Sequence, residues 1–163
     1  MDSTIASAIF GAASSLIGAA LGAFGAWWAA KESTASQRKT AEKDLEERKL
    51  SAINSMMLRI CELGIQYPYF EDQEFCSSFR NRCGDERIRY INYCCIIFNT
   101  INMAWHFCKN SGNKVSDIIG IDEFLSKHHV WWESDLDNFQ YEWDFIQYIK
   151  NLIEELKKKN RIQ

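Results

Sequence analysis

Proline is almost missing from this 163-residue chain: Pro68 is the only one. Strand-like alternation is equally scarce, and the two absences together predict an all-α protein. Charge is missing over one long stretch, because no Asp, Glu, Lys or Arg lies between Asp2 and Lys31. The six cysteines include no Cys-x-x-Cys. None of the six combines with His106, His128 and His129 at a metal-site spacing, so neither a metal nor another cofactor is expected. Phosphate-loop, dinucleotide and Ser-elbow motifs are absent too, which removes the commonest enzymatic readings. A formal net charge of −3 excludes a basic nucleic-acid coat, and DNA is not an expected partner. The N-terminus Met1-Asp2-Ser3-Thr4 has no Lys or Arg and so lacks the positive region of a secretory signal peptide.

What fills the uncharged stretch is a pattern. Thr4, Ala8, Gly11, Ser15, Gly18, Gly22, Gly25 and Ala29 recur at alternating spacings of four and three, and none is larger than Thr. On a helix these positions form one bare seam along which sister helices can approach closely. Ile5 to Ala30 is long enough to cross a hydrocarbon core of about 30 Å. The competing reading is a buried soluble helix, since the stretch is rich in Ala and Gly. Trp27 and Trp28 stand where an interfacial aromatic belt belongs. Lys31, Arg38, Lys39, Lys43, Arg48 and Lys49 follow the span and none precedes it. The positive-inside rule then puts the N-terminus outside and the bulk of the chain in the cytoplasm, as a single-pass protein of the cytoplasmic membrane.

The expected organisation has three parts: a transmembrane helix over 1–30, a charged helical stalk over 31–49, and a small cytoplasmic helical ligand-binding domain over 50–163. The stripe Leu50, Ile53, Met57, Ile60 and Gly64 marks entry into the domain, and Tyr67-Pro68 ends that helix. A short helix is expected over 72–80. Gly84-Asp85-Glu86 reads as a turn opening a helix from about Arg87 to Lys109, and Asn110-Ser111-Gly112-Asn113 stops it. A further piece runs from Val115 to His129, with a break at Gly120. Ser134 with Asp137 resembles a capping box that starts the last helix. Its stripe is Leu136, Phe139, Trp143, Ile146, Ile149, Ile153 and Leu156.

Two groups of residues suggest a ligand. Arg80, Arg82, Arg87 and Arg89 crowd around Gly84, and a helix start with guanidinium groups nearby suits a phosphate. A surface network of ion pairs is the alternative. Beyond it Asn92, Asn99, Asn102 and His106 continue from Arg89 at helical spacings, with Tyr90, Tyr93, Phe98, Trp105 and Phe107 around them. Amides supply the donor and acceptor that an adenine edge needs, and aromatic faces stack on bases. The alternative there is a buried polar network fixing helix register. Trp131-Trp132 is either a stacking platform or core packing.

In its length, its small-residue span Ile5 to Ala30, its charged stalk and its aromatic, Arg-containing helical domain, the chain resembles the cyclic-nucleotide-activated membrane effectors of type III CRISPR antiphage systems. The likeness is one of architecture, and no binding residue is carried over from it. It implies a homotetramer without enzyme activity whose cytoplasmic domains bind cyclic tetra-adenylate. The membrane helices then open a pore or disrupt the bilayer. The seam Gly11, Ser15, Gly18, Gly22 and Gly25 would hold the oligomer together. A constitutive holin-like toxin, a membrane-anchored adaptor for a protein partner and a membrane-tethered enzyme are the other readings.

Overall fold

The computed structural model describes residues 3–134, 140–159 and 161–162, with side chains from Gly22 onward except those of 23 and 110. The chain is all-α, and no strand occurs among the described residues. The elements are α1 (Ser3–Gln66), α2 (Gln73–Ser78), α3 (Asp85–Ser111), α4 (Ile121–Trp132) and α5 (Trp143–Lys158). Single 3-10 turns at Pro68–Glu71, Phe79–Asn81 and Val115–Asp117 join them. Contacts divide the chain into two units, Met1–Leu45 and Glu46–Gln163.

Within the first unit the described residues are all helical, and those whose side chains are described are exposed. Of the seam, Gly22 and Gly25 are open, since a Cβ added at either meets nothing within 4 Å. Gly11, Ser15 and Gly18 have side-chain positions outside the described residues. Among the described residues no helix is long and apolar enough to cross a membrane. The side chains of 5–21, the larger part of the expected span, lie outside the described residues, and 22–30 alone is too short to cross.

The second unit holds the core. α1 contributes Ile53 and Ile60, both buried, with Met57 packed beside them. Leu50 is 38% exposed, so the stripe enters the core one turn later than expected. Gly64 brings α1 against α3: a Cβ there would lie 3.6 Å from the Tyr93 hydroxyl. α1 stops at Gln66, just before Tyr67-Pro68. α3 opens at Asp85 after Gly84, whose φ of 74° and ψ of −153° are open almost only to glycine. Asp85 and Glu86 then occupy the first turn, where negative charge suits the helix dipole. α3 ends on Gly112 at φ 73°, whose N–H donates to the Cys108 carbonyl at 2.9 Å.

The start of the last helix differs from expectation. α5 begins at Trp143 with Glu142 at its N-cap. Ser134 caps nothing there; its hydroxyl and its N–H both donate back to the Trp131 carbonyl, closing the end of α4. Asp137, Leu136 and Phe139 lie outside the described residues. Trp143 is 71% exposed rather than part of the apolar stripe, whereas Phe145, Ile149, Ile153 and Leu156 are buried. Phe98 stacks on Trp131 and Trp132, with ring centroids 5.1 and 4.7 Å away. Both tryptophans are buried, so this pair packs the core and offers no stacking platform.

Candidate functional site

α3 has two sides, and the expected ligand residues divide between them. Its core side carries Tyr90, Tyr93 and Phe98, each no more than 1% exposed. These rings cannot stack on a base, because they fall on the face opposite Asn92 and Asn99. Asn92 and Asn99 are exposed, and Asn102 and His106 are half-buried. Asn99 accepts through Oδ1 from the Tyr141 hydroxyl at 3.0 Å. The buried Oδ1 of Asn102 has no hydrogen-bond partner. His106 lies 3.6 Å from Glu142 and edge-on to Trp105.

The four arginines also separate. Arg89 pairs with Asp85 at 3.8 Å and stands over the Tyr67 ring at 5.6 Å. Arg82 lies over Phe75 at 5.0 Å, in a hollow that it shares with Asp72, Glu74 and Glu86. Its guanidinium meets that aromatic face, and among the described residues no carboxylate stands within ion-pair distance of it. Arg80 is exposed and Arg87 half-buried, and among the described residues neither has an ion-pair partner. Arg80, Arg82 and Arg87 thus lack an ion-pair partner among the described residues, and Arg80 and Arg87 lack an aromatic partner as well.

A polar group that no local spacing announces gathers residues from four elements. Glu71 accepts from Tyr93 and, at 2.8 Å, from Lys127, which also reaches Glu123 at 3.0 Å. The Nδ1 atom of His128 lies 3.1 Å from the Tyr90 hydroxyl and 3.7 Å from the Cys76 sulfur. Its Nε2 faces Glu71 across 3.9 Å and has no hydrogen bond. With the proton on Nε2, Nδ1 accepts from Tyr90.

Cys76, His128 and Glu71 follow one another in the order of a nucleophile, a base and its orienting acid. Their electrostatics oppose that role. Burial pushes the Cys76 thiol up to about 11 and the His128 imidazole down to about 4, outweighing the pull of Glu71. Both are neutral at pH 7. The thiol is fully buried and donates to the Phe70 carbonyl at 3.0 Å. Burial also raises the pKa of Glu71, but hydrogen bonds from Lys127 and Tyr93 outweigh it and leave the carboxyl below its ordinary value. The group is a set of neutral rings and thiols around one ion pair, suited to holding α2, α3 and α4 together.

Cys76, Cys94 and Cys108 are buried thiols, while Cys61 and Cys83 are exposed ones. No cluster of His, Cys, Asp or Glu among the described residues is placed to hold a metal ion. The chain matches no protein-family model, no curated protein and no solved structure.

Proposed function

We propose that the protein is an oligomeric membrane effector of antiviral defence. Its helical domain binds a cyclic oligoadenylate, with cyclic tetra-adenylate the first candidate. The N-terminal helices then rearrange within the cytoplasmic membrane to open a pore or disrupt the bilayer. The protein performs no enzymatic step. The N-terminus lies outside and the domain in the cytoplasm. The observation that carries the ligand is the pair of cations on either side of Gly84, Arg80 and Arg87, which have neither an ion-pair nor an aromatic partner among the described residues. A cyclic oligonucleotide presents one phosphate per nucleotide. In a tetramer four copies of this pair would face four phosphates, with Asn92 and Asn99 further along the same helix for base edges. Ligand binding shifts a closed–open equilibrium only by its difference in affinity between the two states, so the ligand belongs between subunits whose spacing changes.

Titrating the full-length protein with cyclic oligoadenylates of several ring sizes tests this. One ring size should raise the unfolding temperature in a concentration-dependent way, because a ligand that prefers the folded state stabilises it. Arg87→Ala should weaken that binding by about tenfold to a hundredfold, the value of one hydrogen bond to a charged group. Unfolding curves that ignore every ring size remove the gating reading. A second reading, a membrane-anchored adaptor, draws on the apolar side chains left exposed on the second unit. Leu58, Ile65 and Ile88 are 67%, 80% and 59% exposed. It predicts that substituting these residues abolishes function while Arg87→Ala does not.

A further inference from the structure

The residues at the end of the expected span and just beyond it form a surface of their own. Phe24, Trp27 and Trp28 make a tilted aromatic group on α1, with centroids 5.9 and 6.4 Å apart, and each ring is more than half exposed. Lys31 holds its ammonium over the Trp27 ring at 5.3 Å. Trp27, Lys31, Thr34, Arg38 and Lys39 line one shallow hollow along the helix, with Glu42 its one acid among the described residues. Small residues between the tryptophan and Arg38 leave that hollow open, and the Thr34 hydroxyl is satisfied by the Ala30 carbonyl at 2.7 Å. The charge along α1 is uneven. From 31 to 39 there are three cations, Lys31, Arg38 and Lys39, against Glu32 alone. From 40 to 49, Lys43, Arg48 and Lys49 face Glu42, Asp44, Glu46 and Glu47. The segment 31–39 is therefore net positive and 40–49 net negative, with Lys31 the cation nearest the tryptophans.

We infer that this face is a binding site for anionic phospholipid headgroups, with Lys31 as its principal cation; the inference rests on the membrane reading above. The depths agree with it. A hydrocarbon core of about 30 Å takes about 20 helical residues, and counting back from Trp27 keeps the whole thickness inside the uncharged stretch. Trp27 and Trp28 then meet the headgroup boundary, where aromatic rings concentrate. Lys31 is four residues on, about 6 Å further along the axis, inside a headgroup layer about 5–7 Å thick. Arg38 and Lys39 stand about 17 Å beyond Trp27. They act at the edge of a screening length of about 8 Å, helped by side chains that reach back toward the surface. The expected order of contribution is Lys31 first, with Arg38 and Lys39 together behind it. A cation close to an anionic surface strengthens attraction by about fivefold, and one further out contributes less.

The test places the full-length protein in vesicles of phosphatidylcholine with a minority of phosphatidylglycerol. Either lipid carries bromine on its acyl chains, which quenches tryptophans in contact with it. Phosphatidylglycerol should quench several-fold more than its mole fraction predicts, and the excess should shrink as salt is raised. Lys31→Gln should remove most of the excess, and adding Arg38→Gln and Lys39→Gln should abolish the remainder. Quenching that follows mole fraction in the wild type overturns the headgroup site and leaves the membrane reading standing. Protein that separates from the vesicles, unquenched by either lipid, overturns both.

Discussion

The two sides of α3 use similar side chains in opposite ways. On the core side, phenols, an imidazole and a carboxylate close on one another: Tyr93 and Lys127 on Glu71, Tyr90 on His128. On the outer side, the amide of Asn92 is exposed and Arg87 has no ion-pair partner among the described residues, so both are open to whatever approaches. A buried polar group is tolerable only when paired, so pairing on the inside fixes structure. An exposed polar group has water as its default partner and can exchange it for a ligand. The comparison teaches that residue type alone does not separate scaffold from site; the side of the helix does.

Removing a ring from the core side should produce the largest effect. Phe98 is fully buried against Trp131 and Trp132. Phe98→Ala loses both the burial and the stacking and leaves a cavity, so it should cost about 3–5 kcal/mol in denaturant unfolding. An equivalent truncation on the outer side, Asn92→Ala, should stay within about 0.5 kcal/mol. Equal losses from the two would mean that the outer face is covered in the native assembly.

Acid should attack the inner side next. His128 is held near pKa 4 by burial, against an ordinary value of 6.5. The unfolded chain therefore binds a proton that the folded chain resists. Stability falls as pH drops from about 6.5 toward 4, by up to about 3 kcal/mol in all. Glu71 adds to the loss at lower pH: its carboxyl is held below the ordinary value, so its contribution fades as pH falls through that lowered pKa. His128→Asn keeps an acceptor near Tyr90 and removes the titration. Its unfolding free energy should be flatter over this window, and an unchanged pH slope would remove His128 as the cause.

Helix ends were legible wherever backbone chemistry forces them. Pro68 excludes continuation, and Gly84 and Gly112 take positive φ, so local sequence placed those boundaries. Ser134 misled because a serine after a helix can close the preceding turn as readily as cap the next one, and only the contact with Trp131 decides. The same limit governs the site. Periodicity located the outer stripe of α3, since spacings of three and four are a local property. Which arginines lack a partner was not legible. Arg82 lies over Phe75 and Arg89 stands over Tyr67, residues from elements folded back against the start of α3. The inner polar group was hidden for the same reason, because Glu71, Cys76, Tyr90 and His128 are brought together only by packing.

The smallest effect lies where the two sides meet. Asn99 is exposed, yet its Oδ1 already accepts from Tyr141, whose ring packs on Trp132 and Phe145 in the core. If Asn99 reads a base edge, the ligand competes with that phenol for the same oxygen. Tyr141→Phe keeps the ring in place and gives up one partly exposed hydrogen bond, a loss of about 0.5–1 kcal/mol in unfolding. It also leaves the amide oxygen unclaimed, so ligand affinity should hold or rise by up to about fivefold, the equivalent of the bond no longer displaced. Asn99→Ala costs the protein the same bond but should weaken the ligand. Opposite signs in the two titrations would assign Asn99 to the binding face. A fall in affinity of the same size in both would make the Tyr141–Asn99 bond a support for α3, and the base-reading residues would then have to be sought at Asn92 and Asn102.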